Sequence, residues 1–173
     1  ILIKEIRKEK DKTKRNELKK NLPAICFSGQ FNKRSDSALQ EHSGIICLDF
    51  DGYDKTKDLL QDKEQFINNK FVLSVFVSPS GNGLKVLVRI PPEPDNHTKY
   101  FNSLKTEFNS EYFDTTSKNL SRVCYESYDP LIYFNPNSLL WDTIEEEEYD
   151  ERSTYKDKPT IKNVATAVNP ITN

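Results

Sequence analysis

Ile45-Ile46-Cys47-Leu48-Asp49-Phe50-Asp51 is the stretch of this 173-residue chain that decides its fold. Mostly apolar residues lead into two carboxylates that are separated by one residue. If the stretch is a strand, successive side chains point to opposite faces, so Asp49 and Asp51 emerge on the same face. Two carboxylates this close together repel each other, and each raises the pKa of the other. A divalent metal ion with oxygen ligands is the usual way in which this repulsion is relieved. The stretch therefore predicts a strand that ends in a metal site; the alternative is a strand that ends in a solvated turn over residues 51–54.

The composition indicates one domain with a core and a peripheral charged part. Charged residues make up 30% of the chain and hydrophobic residues only 35%, which favours some peripheral sequence outside the core. Residues 1–40 carry eleven lysines and arginines against five acids, and the balancing acids come late, in Glu145–Glu148. The basic N-terminal segment is interpreted as a solvated charged helix or, alternatively, as a surface that faces phosphates.

Cysteine usage and hydropathy indicate the compartment. Cys26, Cys47 and Cys124 lie in apolar stretches and have no CxxC spacing, which favours a reducing compartment and no zinc site. No apolar run reaches the length of a membrane span, and no signal peptide is visible. We therefore expect a cytoplasmic protein. Because the chain has no methionine, even at position 1, we also expect it to be a piece of a longer protein.

Hydrophobic periodicity predicts an α+β fold. After a charged helix over 3–20 and a short strand over 24–27, the elements follow in the order β-α-β-β-α-β, which is typical of the ferredoxin-like or RRM-like unit. We expect a basic N-terminal helix and small α/β module over 1–42, the main unit over 43–141, and an acidic or polar tail or linker over 142–173. The predicted elements of the main unit are 45–51, 55–70, 71–77, 84–90, 97–112 and 122–127.

The order of these elements brings chemistry-bearing residues together. Right-handed crossovers put the first strand of the unit between the third and the fourth, antiparallel to both. The end of the first strand, with Asp49 and Asp51, then lies beside Lys85 and Arg122, and Asp114 lies at the same edge. Alternation along the third strand points Lys85 to the open face, where both acids also point. Three carboxylates and two cations are therefore expected to form one site.

The loop over 78–83 contains two serines and two glycines and joins two strands. Glycine lets a backbone approach an anion closely, so such a loop can aim N–H groups at a phosphate. Hairpin turns often have the same composition, and the GxxxxGK[ST] spacing of a P-loop is absent. The loop is interpreted either as an anion-binding loop or as a plain turn.

Several motifs together resemble the archaeo-eukaryotic primase (prim-pol) superfamily, and most closely its VirE N-terminal-type primase domains of bacterial mobile elements and phages. The resemblance covers about residues 19–140 and implies a catalytic palm of the β-α-β-β-α-β type behind a smaller N-terminal module. The pieces that carry it are Leu22-Pro23-Ala24-Ile25, Ser28-Gly29-Gln30-Phe31, Ser43-Gly44 leading into Leu48-Asp49-Phe50-Asp51, Ser78-Pro79-Ser80-Gly81-Asn82-Gly83-Leu84-Lys85, and Arg122 through Asn135-Pro136.

The resemblance implies metal-dependent nucleotidyl transfer by a primase or primase-polymerase. Asp49 and Asp51 match the first metal-binding motif, and Asp114 fits the third acid best, with Asp129 as its rival. Two Mg²⁺ or Mn²⁺ ions about 3.5–4 Å apart would be held by these acids. Where the second motif of the family has a histidine that contacts the nucleotide's phosphates, this chain has Lys85.

The same resemblance implies the partners. They are nucleoside triphosphates, a single-stranded DNA template and a fused or associated helicase, acting in replication of a mobile element or phage. The basic segment over 4–20 would track template phosphates, and its affinity would fall as salt rises. The residues expected to contact the nucleotide are Ser78, Ser80, Gly81, Asn82, Lys85 and Arg122.

Two other functions fit parts of the sequence. Asp49-Phe50-Asp51-Gly52 also resembles the opening motif of haloacid-dehalogenase-type phosphatases, in which the first Asp is the nucleophile. That family has Thr or Val after the glycine, whereas this chain has Tyr53, and here 44 residues precede the strand. The second alternative is a non-catalytic module of the same fold that binds nucleotide or nucleic acid, which Lys85 in place of histidine keeps open.

Overall fold

The computed structural model describes residues 2–144, so the acidic run Glu145–Glu148 and most of the expected tail over 142–173 lie outside the described residues. The described residues form the mixed helix and strand architecture that was predicted. Two short 3₁₀ turns, over Asp36–Ala38 and Pro94–Asn96, connect regular elements. The helices and strands are α1 (Leu2–Lys8), α2 (Lys12–Lys19), β1 (Ala24–Ile25), β2 (Gly29–Phe31), β3 (Leu39–His42), β4 (Ile45–Asp51), α3 (Thr56–Ile67), β5 (Val72–Val77), β6 (Gly83–Arg89), α4 (His97–Phe108), β7 (Cys124–Tyr125) and β8 (Tyr133–Phe134).

The predicted helix over 3–20 is two helices. Asp11 separates them, because its side chain accepts a hydrogen bond of 2.9 Å from the Lys14 backbone N–H and so caps the start of α2. Ile6 of α1 is fully buried although the surrounding segment is strongly charged. The N-terminal segment is therefore folded back onto the rest of the protein instead of being a single solvated rod.

A four-stranded antiparallel sheet in the order β4-β6-β5-β8 forms the centre of the fold. In the register of β4 and β6, Asp49 lies opposite Lys85. One face of the sheet is the core, as alternation predicted: Ile46, Leu48 and Phe50 pack with their β6 counterparts and with residues of α3 and α4. Those counterparts and helix residues are Leu84, Val86, Val88, Leu59, Phe66, Phe101 and Leu104.

The prediction that the first strand lies between the third and the fourth was wrong. Among residues 2–144, the free edge of β4 makes only a single bridge, between Phe50 and Phe113, supported by a 2.8 Å hydrogen bond from the Asp114 N–H to the Asp49 carbonyl. The predicted strand over 122–127 is reduced to β7, which pairs with β1 in a separate two-stranded sheet. The edge of β4 is thus occupied by an irregular segment, and the fourth strand of the sheet is β8.

The second face of the sheet is covered, although alternation predicted it to be open. Cys47, Leu73, Leu87 and Cys124 form a small buried cluster there, and Phe27 packs against it. This cover comes from β7 and from the segment before β2, which the sequence did not predict to lie over the sheet. As a consequence Asp49, which points to this face, is only 1% exposed.

Within residues 2–144, no helix is both long enough and apolar enough to span a membrane.

Candidate functional site

Three carboxylates meet at the end of β4. Asp49 and Asp51 share a face of the strand, and Asp114 reaches them because its segment bridges to the edge of β4. One oxygen from each of the three residues lies within 4.8 Å of the others. The sequence prediction that Asp49, Asp51 and Asp114 come together agrees with the structure, even though the strand order from which it was argued does not.

Asp49 is a buried carboxylate with a cation on each oxygen. The Lys85 Nζ lies 2.6 Å from Oδ1, and the Arg122 Nη2 lies 2.6 Å from Oδ2. The Arg122 Nε also donates to Oδ2, at 3.2 Å. A buried charge is tolerated only when it is paired and hydrogen-bonded, and these contacts meet that condition.

Asp114 is held by its own turn and by Arg122. Its Oδ1 accepts hydrogen bonds from the Thr116 backbone N–H at 2.9 Å and from the Thr116 hydroxyl at 2.6 Å. Its Oδ2 lies 3.2 Å from the Arg122 Nη2, so one guanidinium bridges two of the acids. Burial raises the pKa of Asp114, but the Thr116 hydrogen bonds and the charges of Arg122 and Lys85 outweigh this effect and leave the pKa lowered.

Asp51 has a different environment. Asp51 is exposed, and within residues 2–144 it takes part in no salt bridge. Partial desolvation of the carboxyl by the surrounding protein raises its pKa; Lys85 and Lys19 oppose this effect, and Asp49 and Asp114 add to it. Asp51 is therefore the carboxylate of the group that would gain most from an added cation.

The two cations remain charged in this environment. Burial lowers the pKa of Lys85, but Asp49, Cys47 and Asp51 together outweigh burial and the pKa is raised. Arg122 behaves in the same way, with Asp49 first among the groups that raise its pKa. The site thus combines three carboxylates with two permanent positive charges.

A cavity of about 260 Å³ opens beside the acids. Ser78 lines it, and the Ser78 Oγ is buried without a hydrogen-bond partner. Gly83 lies directly under Asp51, since a Cβ at position 83 would collide with the Asp51 carboxyl and with the Phe50 carbonyl. An orphaned hydroxyl and a glycine that makes room for a carboxylate are both features expected of a ligand site.

The geometry of the acids is suited to a hard divalent cation. Such ions take oxygen ligands at about 2.0–2.6 Å, so oxygens on opposite sides of one ion are about 4–5 Å apart. The observed spacing of at most 4.8 Å fits that requirement. The residues present could therefore hold a metal ion, in competition with Lys85 and Arg122 for the oxygens of Asp49.

Not every predicted site residue lines this cavity. Asp114, Ser80, Gly81 and Asn82 are absent from its walls, although Asp114 lies within 4.8 Å of the other two acids. Gly81 instead packs against Arg7 of α1, whose guanidinium donates to the Ser78 and Pro79 carbonyls, each at 3.4 Å. The assignment of Ser80, Gly81 and Asn82 to nucleotide binding stays a prediction.

Asp129, the rival third acid, is not part of the group. Its Oδ2 lies 2.6 Å from the Lys63 Nζ, in an ion pair whose two side chains are each 6% exposed. The same oxygen accepts a 2.8 Å hydrogen bond from the Val77 backbone N–H. Asp129 therefore ties α3 to the end of β5, while Asp114 lies with the other acids.

Sequence reasoning missed several contributors to the site. Thr116 holds Asp114 through an Asx turn, and the Asp-x-Thr spacing is a signal for such turns. The cavity is also lined by Asn16 and Lys19 of α2 and by Arg34 from the connection between β2 and β3. The sequence spacing of these residues does not predict that α2 and the connection between β2 and β3 pack near the end of β4.

One of three comparisons with known proteins gives a match. A family model described as "BT4734-like, N-terminal domain" matches residues 17–134, which is more than half of the chain. No curated protein matches the chain, and no solved structure matches it. The matched range includes the three acids of the group and the cations near them, Lys19, Arg34, Asp49, Asp51, Lys85, Asp114 and Arg122, and it excludes Arg7 and Asn16.

Proposed function

The chain belongs to the BT4734-like N-terminal domain family, and from that premise we propose that it carries out metal-dependent nucleotidyl transfer. In this proposal it is the primase or primase-polymerase domain of a mobile element or phage, and it synthesises primers on a single-stranded DNA template. The observation that carries the proposal is the group of Asp49, Asp51 and Asp114 within 4.8 Å of one another, with Lys85 and Arg122 in contact with it.

The charge pattern supports phosphoryl chemistry. Three carboxylates are suited to Mg²⁺ or Mn²⁺, and adjacent lysine and arginine side chains are suited to phosphate oxygens. When bound at such a site, a pair of these ions supplies activation of the attacking 3′-hydroxyl and neutralisation of the leaving pyrophosphate. Haloacid-dehalogenase-type chemistry would instead need Asp49 as a free nucleophile, which its two ion pairs disfavour.

The residues of the chain have distinct roles in this mechanism. Asp49 and Asp51 offer carboxylate oxygens at the cavity, and Asp114, which does not line it, would supply a third from beside them. Lys85 and Arg122 hold the triphosphate as it lies against the acids, and the unpartnered Ser78 hydroxyl donates to a phosphate oxygen. Lys85 acts as a point charge where the prim-pol motif has a histidine.

The finer assignment to the prim-pol superfamily rests on the sequence motifs and on this arrangement of acids and cations. From this assignment we make three further proposals. The chain is divided into an N-terminal module over 1–42 and a palm over 43–141, it acts in the cytoplasm, and it has a helicase as a partner. The basic residues of α1 and α2 that face solvent would contact the template backbone.

One observation favours a second function, a non-catalytic module that binds nucleotide or nucleic acid. Both oxygens of Asp49 contact cations at 2.6 Å. If Lys85 and Arg122 keep these contacts when nucleotide is bound, they compete with a metal ion for the oxygens of Asp49, and the ion pairs are a structural network.

Incorporation of labelled nucleotides distinguishes the two functions. The parent, Asp51→Asn and Asp54→Asn are assayed with Mg²⁺ and with Mn²⁺, on primed and on unprimed single-stranded DNA. Asp54 is the matched control, because it is an exposed acid three residues from Asp51 that lies outside the group. We expect polymer from the parent and from Asp54→Asn, and none from Asp51→Asn. Equal incorporation by all three, or nucleotide binding by the parent without incorporation, would overturn the catalytic proposal.

A further inference from the structure

Lys19, the last residue of α2, lines the cavity that holds the acids. It is half-buried, and within residues 2–144 it forms no salt bridge. Its neighbour Lys20 also lines the cavity, but it is exposed, and its Nζ lies 2.7 Å from a carboxylate oxygen of Glu17. A partly desolvated ammonium without a carboxylate partner is energetically unfavourable, and a bound anion would offset this cost.

The electrostatic surroundings place Lys19 close to the acids. Burial lowers the pKa of Lys19; Asp51 and Asp49 oppose this effect, while Lys85 and Arg15 add to it. Asp51, its strongest acidic neighbour, does not neutralise it by direct contact. Lys19 therefore shares with Asp49 and Asp51 the cavity in which a ligand bound to these acids would lie.

Asn16 and Arg34 line the same cavity. Asn16 lies three positions before Lys19, so both project from one face of α2. Arg34, an exposed residue of the connection between β2 and β3, adds a second positive charge. The lining of the cavity outside the acids is therefore partly polar and basic, and α2 and the connection between β2 and β3 contribute to it.

We propose that Lys19 and Arg34 bind the terminal phosphates of the nucleoside triphosphate that occupies this cavity. The proposal rests on the function proposed above and gives α2 a place in the nucleotide site, in addition to any contact with template. Lys85 and Arg122 are already shared with Asp49 and Asp114, so they cannot by themselves balance a triphosphate laid against three acids.

The size of the cavity favours the triphosphate over a whole nucleotide or a stretch of template. Its volume of about 260 Å³ is below the roughly 300–1,000 Å³ of pockets that enclose drug-sized ligands. A compact, highly charged group fits such a space, and the base and sugar would lie outside it. Template phosphates would lie along the exposed faces of α1 and α2.

Nucleotide titrations on matched variants test the inference. The ligands are a fluorescent, non-hydrolysable nucleoside triphosphate and the corresponding monophosphate, each with Mg²⁺. The variants are Lys19→Met and Arg34→Met, with Lys12→Met as the control, since Lys12 is an exposed lysine at the other end of α2 and outside the cavity. Methionine retains most of the apolar stem of the side chain and removes only the charge.

We expect Lys19→Met and Arg34→Met to bind the triphosphate about tenfold more weakly, as is typical for loss of one charge-assisted contact. Binding of the monophosphate by these variants, and of either ligand by Lys12→Met, should change less than about twofold. Thermal melting should be the same for all variants, because Lys19 and Arg34 form no ion pair in the described structure.

The other outcomes separate the inference from the function on which it rests. If Lys85→Met weakens triphosphate binding and Lys19→Met does not, the inference is wrong and the proposed function stands. If Lys19→Met instead weakens only binding of single-stranded DNA, α2 contacts template and the inference is equally wrong. If the parent does not bind triphosphate at all, both the inference and the proposed function fail.

Discussion

Asp49 of β4 and Lys85 of β6 lie directly opposite each other in the central sheet, and the Lys85 Nζ is 2.6 Å from the Asp49 Oδ1. Their side chains are 2% and 11% exposed, so the pair is almost completely removed from water. A cross-strand pair at this depth fixes the register of β4 against β6 at the end of the strand where the acids lie. It also makes Asp49 a structural residue as well as a candidate metal ligand.

Replacement of Asp49 should therefore destabilise the protein. In Asp49→Ala the charges of Lys85 and Arg122 lose their main partner, and breaking a buried pair in this way costs about 3–5 kcal/mol of unfolding free energy. Urea denaturation of the parent, Asp49→Ala and Asp51→Ala measures the effect. Asp51→Ala should be within about 1 kcal/mol of the parent, because Asp51 is exposed. Equal stability of all three proteins would show that the Asp49 ion pairs are weak.

The ion pair between Lys63 and Asp129 should be important for stability and not for the site. Both side chains are 6% exposed, and Asp129 also accepts hydrogen bonds from the Val77 and Leu131 backbone N–H groups. We expect Asp129→Asn to lower the melting temperature clearly while metal binding, measured at a temperature where the variant is folded, is unchanged. Loss of metal binding without loss of stability would assign Asp129 to the site in place of Asp114.

Gly83 should be intolerant of any side chain. A Cβ at this position would collide with the Asp51 carboxyl and the Phe50 carbonyl, and the latter is backbone that cannot move aside easily. Gly83→Ala should therefore displace Asp51 and weaken binding of Mn²⁺ by about tenfold or more. Asn82→Ala is the control, since Asn82 contacts Tyr53 through its backbone carbonyl only. If Gly83→Ala binds Mn²⁺ like the control, Asp51 is not a ligand in its present position.

The two buried histidines should make the fold sensitive to acid. The His42 Nε2 lies 3.1 Å from the His97 Nδ1, and burial, followed by the charge of His42, lowers the pKa of His97 to about 4. Because this is below the unfolded value of about 6.5, the unfolded chain binds the proton more tightly. The stabilisation is present above pH 6.5 and is lost as the pH falls towards 4, by about 3 kcal/mol in total.

Urea denaturation of the parent and of His97→Asn between pH 4 and pH 7 checks this expectation. The variant should show a smaller fall in stability over that range, even if it is less stable at pH 7. Parallel pH dependences of the two proteins would mean that His97 does not titrate between its folded and unfolded values as described.

Much of the site was predictable because it depends on the alternation of one strand. Two carboxylates at positions 49 and 51 must share a face, and the antiparallel register of β4 with β6 places Lys85 opposite Asp49, although α3 and β5 separate the two strands in the sequence. The α+β class followed in the same way from periodicity. Asp114 was predicted from its position before the last segment, although the segment that carries it forms only a single bridge to β4.

The burial of the site could not be predicted from these patterns. The face that carries Asp49 is covered through the pairing of β1 with β7, each of which has only two residues. Such short strands have no periodicity to detect, and their pairing joins segments about one hundred positions apart. The same long-range folding brings Lys19 and Arg34 to the cavity, which is why the basic N-terminal segment was interpreted only as a solvated or phosphate-facing surface.

The central claim is that Asp49, Asp51 and Asp114 together hold a divalent metal ion beside a phosphate-binding wall. Calorimetric titration of Mn²⁺ into the parent, Asp51→Asn, Asp114→Asn and Asp54→Asn, each saturated with a non-hydrolysable nucleoside triphosphate, tests it most directly. The account predicts that Asp51→Asn and Asp114→Asn bind Mn²⁺ at least about tenfold more weakly than the parent, while Asp54→Asn binds it equally well. The same Mn²⁺ affinity in all four proteins would contradict it.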